Sequence, residues 1–466
     1  MSRTIPLGEH AIVIGGSMAG LLAARALSEH FGTVTVVERD RLPNGPEQRK
    51  GVPQARHVHA FWAGGLQAAQ QLLPGLRAEL LAEGAVRLGM PTDMAWLTPA
   101  DRWCRHFEAT QDIVSASRTL LEWVVRRRVR AIANVHFLPE QEVTALRLDQ
   151  HRNVCGVTVR DRRCGEVLDL SGDLVVDASG RGSALPRWLA AHGLATPKES
   201  VVDGHLGYAT RLFEVPDDPS RGWRAAYVQP SAPAHSRGGI LFPVEGNHWV
   251  VTLIGANGDH APTDEEGYLA FARSLRDPLL HDAIVSAQPA SPICGFRHTE
   301  NRRRHYEEAD LPGRLLVVGD SLCAFNPVYG QGMTVAAKEV ERLAATLAGC
   351  AGPDRLVDVV RRAQREVARC TDGPWTLATS NDLRFPGTDG GRLTVATRVI
   401  NRYLDRVIGA VSDDATVNAA FLRVLNMIDP PQALFHPRVA MRALAPVRRS
   451  RDARPATPVP APERVG

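Results

Sequence analysis

The sequence predicts an α/β protein of two or three domains, in which parallel strands alternate with helices. Three observations support this prediction. The chain has 466 residues, which is too many for a single hydrophobic core. Hydrophobic residues make up 44% of it and charged residues 23%, as in ordinary globular proteins. Two segments, residues 11–40 and 313–337, each run from a short apolar strand through a glycine-rich turn into a helical pattern.

The first of these segments has the order strand, turn, helix, strand. Its first strand ends at Ile14, and its second strand, residues 34–37, leads directly to Glu38. In such a unit the amides at the helix start face a pyrophosphate, and the acidic residue binds the ribose hydroxyls. Ser17 stands where the usual fingerprint has its middle glycine. The segment predicts a bound dinucleotide, and the predicted contact residues are Gly15, Gly16, Ser17, Met18, Ala19, Gly20, Glu38 and Arg39.

Between the two segments, residues 113–122 and 173–187 each read as a strand followed by a turn or helix. Thr119 and Glu122 have the spacing of a capping box. Arg118 comes just before that predicted helix, where it could reach a phosphate or form an ordinary salt bridge.

The second segment, residues 313–337, predicts a different part of the ligand site. Its strand, residues 315–318, ends at Gly319 and Asp320, and a carboxylate at this point can accept hydrogen bonds from a sugar-alcohol chain. Glycines before a helix let backbone amides approach a ring carbonyl that gains negative charge on reduction. A ribityl chain and an isoalloxazine ring need both features, whereas NAD has no ribityl. The alternative is an ordinary strand-to-helix turn. The residues concerned are Gly319, Asp320, Pro327, Gly330, Gly332 and Met333.

Together these residues resemble the flavin monooxygenases of the p-hydroxybenzoate hydroxylase fold, over nearly all of residues 8–345. The resemblance implies a Rossmann-like FAD-binding domain, an antiparallel-sheet substrate domain and a C-terminal helical region. It also implies that Arg118 approaches the pyrophosphate, that Asp320 takes the ribityl chain and that residues 327–333 lie along the flavin ring. By the same resemblance, further candidates for cofactor contact are Arg49, Lys50, Gln54, His57 and Val143.

Within this class the sequence is most similar to the flavin epoxidases of polyether-ionophore biosynthesis. The runs that carry this likeness are RKGVPQARHVH (49–59), DASGRGS (177–183), YATRLF (208–213) and AFNPVYGQGM (324–333). The likeness implies that a flavin C4a-hydroperoxide epoxidises an alkene of a hydrophobic polyketide-like intermediate, free or tethered to a carrier protein. An alkene needs no base, and the sequence shows no obvious base constellation.

Two alternatives stay open: hydroxylation of an aromatic or other ring with direct use of NAD(P)H, and a non-redox cyclisation on an FAD scaffold. Aromatic hydroxylases of this fold usually have Asp-Gly after the middle strand, whereas this sequence has Ser179 and Gly180. A separate flavin reductase that passes on electrons from NAD(P)H therefore becomes plausible. Halogenases of the fold carry a Trp-x-Trp-x-Ile-Pro motif and an active-site lysine; the motif is absent, and the chain has three lysines in all.

The substrate region is predicted from alternating patterns at residues 207–215 and 238–255, the second a hairpin about Gly246 and Asn247. Apolar candidates for the pocket are Met90, Met94, Trp96, Phe213, Tyr227, Phe242 and Phe296, and core packing is the alternative for each. The predicted domain limits are residues 1–75, 98–180 and 295–350 for the discontinuous FAD-binding domain, 76–97 and 181–294 for the substrate domain, 351–445 for the helical region, with predicted helices at 354–372 and 392–426, and 446–466 for a disordered tail.

Composition excludes several classes of function. The net charge is +4 with both signs interspersed, which argues against a nucleic-acid partner. The seven cysteines are scattered without a CxxC pair, so a reduced cytoplasmic protein is expected. No apolar run has transmembrane length. His57 and His59 form an HxH pair without other ligands nearby in sequence, so no metal site is predicted.

Overall fold

The computed structural model describes residues 6–218, 220–350 and 352–445. The strands are β1 (Gly8–Ile14), β2 (Phe31–Glu38), β3 (Ala60–Phe61), β4 (Val86–Met90), β5 (Met94–Leu97), β6 (Gln111–Ser115), β7 (Val135–Pro139), β8 (Gln141–Leu148), β9 (Val154–Asp161), β10 (Val167–Ser171), β11 (Leu174–Asp177), β12 (Glu199–Val202), β13 (Gly207–Glu214), β14 (Ala225–Val228), β15 (Arg237–Val244), β16 (His248–Gly255), β17 (Cys294–Phe296), β18 (Asn301–Arg304), β19 (Leu315–Val317) and β20 (Cys323–Ala324). The helices are α1 (Met18–Leu27), α2 (Ala63–Leu72), α3 (Leu76–Ala82), α4 (Arg118–Arg130), α5 (Leu185–Ala191), α6 (Glu265–Arg273), α7 (Leu279–Ile284), α8 (Gly332–Ala348), α9 (Leu356–Asp382), α10 (Val395–Val411), α11 (Ala415–Leu425) and α12 (Pro437–Leu444).

A five-stranded parallel sheet with the order β19-β11-β1-β2-β7 forms the centre of the nucleotide-binding half. Its strands are short, continuous apolar runs because both faces are covered, by helices such as α1 and α8 and by the antiparallel strands β8–β10. The carboxyl ends of parallel strands meet at one edge of a sheet. The turns after β1, β2, β11 and β19 therefore lie together at the edge where α/β proteins bind ligands. The predicted α/β fold class is confirmed at this sheet.

A six-stranded sheet, β17-β13-β16-β15-β14-β5, forms the second half of the molecule. The predicted hairpin is confirmed: β15 and β16 pair antiparallel, and Gly246 and Asn247 both have positive φ between them. One face of this sheet packs on α6 and α7, and the other faces the C-terminal helices α10 and α11. The predicted substrate segments contribute β5 and β13–β16 to it, whereas β4 pairs with β6 in a separate sheet. The domain limits themselves stay a prediction.

The C-terminal region begins with α9, which returns along α8 and ends at Asp382. The helical periodicity predicted for residues 354–372 and 392–426 is confirmed by α9, α10 and α11. Residues 446–466, predicted to be a disordered tail, lie outside the described residues. Within the described ranges, no helix combines the length and apolar character that a membrane span needs.

Candidate active site

The turn after β1 has room for glycine alone at two positions. Gly15 has φ +103°, and a Cβ there would lie 2.5 Å from the carbonyl oxygen of Ala178. A Cβ on Gly20 would lie 1.8 Å from the carbonyl oxygen of Gly15. Ser17 precedes α1 without a side-chain bond to the helix amides. The positive end of α1 is thus left open toward a ligand, and this arrangement fits a pyrophosphate.

The hydroxyl of Ser17 is used in a contact with α4. It donates to Oε2 of Glu122 at 2.7 Å and accepts from Nη2 of Arg118 at 2.6 Å. The predicted capping box of Thr119 and Glu122 is wrong, because Ser117 caps α4 through the amide of Leu120. The carboxylate of Glu122 instead points toward the glycine turn that follows β1. A serine at the middle position of the fingerprint therefore joins α1 to α4.

Three buried guanidinium groups, those of Arg49, Arg118 and Arg126, surround Glu122. Arg49 is held at 2.8 Å from Glu122 and 3.1 Å from Glu38. Burial opposes the charge of Glu122, but the attraction of Arg118 and Arg49 outweighs it and lowers the pKa of that carboxyl. Nε of Arg118 is buried and has no hydrogen-bond partner among the described residues. A free buried donor of this kind fits an anionic phosphate group.

Glu38 ends β2 as predicted, and its carboxylate accepts hydrogen bonds from the amides of Gly16 at 2.8 Å and Asp40 at 2.9 Å. The carboxylate therefore lies beside the glycine turn, where the ribose of a dinucleotide is expected. By contrast, Arg39 and Lys50 are exposed and Gln54 is half-buried in a short 3₁₀ helix.

Val143 lies in β8 within the hydrophobic core of the nucleotide-binding half. None of Arg39, Lys50, Gln54 and Val143 joins the charged cluster of Arg49, Arg118 and Glu122.

The turn after β19 brings a second carboxylate to the same edge. Gly319 has φ +65°, and a Cβ there would lie 2.6 Å from Cβ of Ala19, so the two turns are in close contact. Asp320 is partly exposed and has no hydrogen-bond partner within the described part of the chain. Burial raises the pKa of Asp320, against the attraction of Arg181 and Arg118. An unpartnered carboxylate at this position fits the hydroxyls of a ribityl chain.

Three buried polar atoms without partners in the described residues lie in or beside the loop from Pro327 to Gly332. They are Nε1 of Trp62, Oε1 of Gln331 and Oγ1 of Thr334. Trp62 lies against Gly330, where a Cβ would be 3.2 Å from Nε1 of the indole. Unpaired buried donors and acceptors beside the start of α8 fit a flat heterocycle with polar edges. The residues present therefore suit FAD at both its nucleotide and its ring end.

A buried network supports this loop from behind. Asp382, at the end of α9, is 1% exposed. Its carboxylate accepts from the side-chain amides of Asn301 at 2.7 Å and Asn326 at 3.1 Å, and from the hydroxyl of Tyr329 at 2.6 Å. Burial raises the pKa of Asp382, although these three hydrogen bonds oppose the shift. Tyr208 of β13 also donates to Asn326, at 2.9 Å, which joins the network to the six-stranded sheet.

His57 belongs to the face of that sheet nearest the loop. Its Nδ1 is 2.7 Å from the hydroxyl of Thr210, which is 2.8 Å from that of Thr252. Burial, together with the charge of Arg56, lowers the pKa of His57 to about 4, so the ring is neutral near pH 7. His59 directs Nδ1 at the carbonyl oxygen of His57 instead.

The predicted pocket residues divide between the two faces of the six-stranded sheet. Met90, Trp96 and Phe242 are buried in the cluster that includes α10 and α11, and Tyr227 is partly buried beside it. Phe213 lies on the opposite face, stacked on Tyr268 at 6.5 Å between ring centroids. Side chains alternate along a strand, so Phe213 and Tyr208 of β13 cannot face the same layer. Phe213 thus belongs to the core under α6 and α7.

The apolar side chains that stay partly exposed around the first cluster come from both the sheet and the helices. They are Val58, Val86, Leu212, Tyr227, Ile240, Tyr403, Leu404, Ala420, Phe421, Val424 and Leu425. Sequence reasoning did not single out the helix residues among them. The apolar spacing of residues 403–425 was the available signal. It indicated helices but not the surface of the sheet on which they pack.

Comparison with known proteins agrees with this geometry. Residues 9–372 match the family model described as FAD binding domain. The chain is 32% identical to "Protein Rv3254" of Mycobacterium tuberculosis over 433 residues, 90% of each chain. It is 25% identical to kynurenine 3-monooxygenase of Xanthomonas axonopodis pv. citri over 362 residues, 73% of this chain and 72% of the relative.

Among solved structures, the fold matches that of a flavin-dependent brominase, Bmp2, with a TM-score of 0.65 at 14% identity, over 90% of this chain and 93% of the other. It also matches pqsL, a probable FAD-dependent monooxygenase from Pseudomonas aeruginosa, with a TM-score of 0.59 at 18% identity, over 81% of this chain and 97% of the other. At these identities the structures bear on the fold alone. With the family match and the fitted site, the chain belongs to the FAD-binding domain family and is a flavin-dependent monooxygenase of the p-hydroxybenzoate hydroxylase fold.

Proposed function

We propose that this monooxygenase epoxidises an alkene in a hydrophobic, polyketide-like intermediate. The observation that carries the proposal is the contrast between the two sides of the site. The cofactor side is rich in charged and polar groups, whereas the facing layer of sheet and helices presents apolar side chains. An apolar layer of this kind selects an uncharged hydrophobic substrate, free or on a carrier protein.

The polar groups nearest that layer are poor bases. His57 has a pKa of about 4, so its neutral ring has little tendency to take the proton of a phenol. Burial and the nearby charge of Asp382 raise the pKa of Tyr208, so this hydroxyl stays protonated. Ring hydroxylation of a phenol gains from a base, while an alkene reacts through its own π electrons. The site therefore favours the alkene.

Bound FAD, once reduced, supplies the activation of molecular oxygen. The chain's own residues hold and shield it. The Gly15–Gly20 turn and Arg118 would bind the pyrophosphate, Glu38 the ribose and Asp320 the ribityl chain. Residues 327–333 would lie along the ring, and α10 and α11 would keep water from the apolar side.

We further propose that electrons from NAD(P)H arrive through a separate flavin reductase. Ser179 donates its hydroxyl to Asp177 at 2.6 Å and its amide to the same oxygen at 2.9 Å. It therefore offers no carboxylate where aromatic hydroxylases of the fold usually have one. We also propose that the protein acts in a reducing, cytoplasmic compartment, because its seven cysteines are free.

The test is turnover under labelled oxygen. Purified protein, FAD, a flavin reductase and NADH are incubated with candidate polyenes, and each product is expected to carry one labelled atom as an epoxide. Labelled phenols from aromatic substrates, with NAD(P)H oxidised directly, would instead support ring hydroxylation. Products formed without oxygen or reductant would mean a cyclase and end the proposal.

A further inference from the structure

We propose that the outward face of α10 and α12 binds an anionic lipid surface, an interaction that goes beyond the proposed reaction. The evidence begins with exposed apolar side chains. Ten large hydrophobic side chains are exposed in the described residues, and six of them lie between residues 395 and 444. These six are Val395, Val399, Ile400, Phe435, Met441 and Leu444. Such concentration marks an interaction surface, whereas single exposed residues elsewhere need no explanation.

The six side chains are related by the packing of the two helices. Val395, Val399 and Tyr403 follow at intervals of four along α10, and Tyr403 stacks on Phe435 with 4.8 Å between ring centroids. Met441 and Leu444 lie one turn apart on α12, which packs against α10. The opposite side of α12 is buried. The apolar face therefore extends from α10 through Phe435 to α12.

The same face also carries positively charged side chains. Five arginines from the same region are exposed and have no ion pair among the described residues: Arg392, Arg398, Arg402, Arg406 and Arg438. Three of them recur at four-residue intervals on α10, on the same side as Val395 and Val399.

The acidic residues close by are already occupied. Asp405 pairs with Arg384, Asp414 with Arg442 and Asp429 with Arg423. Asp413 contacts Arg105 at 3.2 Å. The face is therefore apolar and positively charged, and its electrostatic complement is an anionic surface.

Two other occupants are disfavoured by this charge. A second copy of the chain would place arginines against arginines across a two-fold axis. Residues 446–466 contain five arginines and only two acidic residues, so they carry the same sign as the face. Aliphatic side chains that protrude from helices between arginines are typical of segments that lie in a membrane interface.

The test is co-sedimentation of the full-length, FAD-loaded protein with vesicles. We expect binding to vesicles of phosphatidylcholine with phosphatidylglycerol, little binding to phosphatidylcholine alone, and release by salt. Val399→Asp with Met441→Asp, or Arg398→Ala with Arg402→Ala, should lower the bound fraction by about tenfold. Leu168→Asp is the matched control, since Leu168 is 58% exposed on β10, elsewhere in the molecule. Flavin absorbance in each variant checks that the fold is kept.

Two outcomes would overturn the proposal. If wild-type protein fails to bind anionic vesicles, while an acidic carrier protein shields the α10 arginines from chemical modification, the occupant is a protein and not a lipid. If Val399→Asp with Met441→Asp binds as well as wild type and salt still removes both, the arginines of residues 446–466 suffice and the face plays no part.

Discussion

The nucleotide turn and the proposed substrate face, which is the face of the six-stranded sheet toward α10 and α11, are built in different ways. Around the turn, contacts are made by backbone and by buried charges: a Cβ at Gly20 would overlap a carbonyl oxygen, and Arg49 lies among three carboxylates. The substrate face is made of side chains from distant parts of the chain, several of them partly exposed. Recognition of the cofactor is therefore intolerant of small changes, while the substrate face can vary in shape and still fold.

The largest effect on cofactor binding and stability is expected from Gly20→Ala, in the nucleotide turn. The new Cβ would meet the carbonyl oxygen of Gly15 at 1.8 Å, which the backbone can relieve only by moving the turn. We expect loss of bound FAD and destabilisation of about 3 kcal/mol or more. Flavin absorbance of the purified protein and its melting temperature measure both effects. Gly182→Ala is the control, because nothing lies within 4 Å of its Cβ position. Normal flavin content in Gly20→Ala would mean that the turn adapts.

The next test compares the two faces of the six-stranded sheet. Phe213→Ala leaves a cavity in the core under α6 and α7 and should cost about 3–5 kcal/mol, with KM unchanged. Ile240→Ala, on the face toward α10 and α11, should cost less stability and raise KM. Urea unfolding and steady-state kinetics on the same preparations separate the two results. A raised KM in Phe213→Ala alone would reverse our assignment of the faces.

Asp382→Asn tests whether the two halves are joined behind the flavin loop. An amide there cannot accept from Asn301, Asn326 and Tyr329 together, so one buried donor loses its partner. We expect a loss of about 1–3 kcal/mol and weaker FAD binding, followed by fluorescence quenching of added FAD. Asp389→Asn serves as the control, since that carboxylate is 80% exposed. Unchanged affinity in Asp382→Asn would show that the loop holds its shape without the network.

An effect that depends on pH is expected at Glu339, a fully buried carboxyl on α8 that accepts from the amide of Gly319 at 2.6 Å. Burial, with the charge of Asp320, raises the pKa of Glu339 to about 8. A folded pKa above the unfolded one means that this group's stabilisation is complete in acid and is lost as pH rises through about 8.

Glu339→Gln should therefore match wild type near pH 5 and become the more stable protein, by up to about 5 kcal/mol, near pH 9. Melting temperatures across this range measure it, and Glu341→Gln, whose carboxylate is paired with Lys338, is the control. Parallel curves for wild type and Glu339→Gln would show that the carboxyl does not titrate in this range.

Sequence reasoning reached the cofactor side because its signals are local. Gly15, Gly20 and Glu38 lie within one strand-turn-helix-strand unit, and the 327–333 loop follows directly from its own strand. Asp382 gave no such signal, since it ends a helix far along the chain and is recognised only by its partners. Arg49 was one candidate among several in a loop, and its burial beside Glu122 distinguishes it from exposed Lys50.

The sequence by itself determined the α/β fold, the dinucleotide turn and the second glycine loop, because backbone sterics and the helix dipole act over a few residues. Only the tertiary structure decided which face of β13 lies toward the 327–333 loop and that α10 and α11 cover this face. It also decided that the carboxylate of Asp382 supports the loop. The alternation of side chains along a strand predicts that the strand has two faces, but it does not predict which elements pack against each face. Those neighbours are set by contacts between residues hundreds of positions apart, such as Trp96 with Phe421.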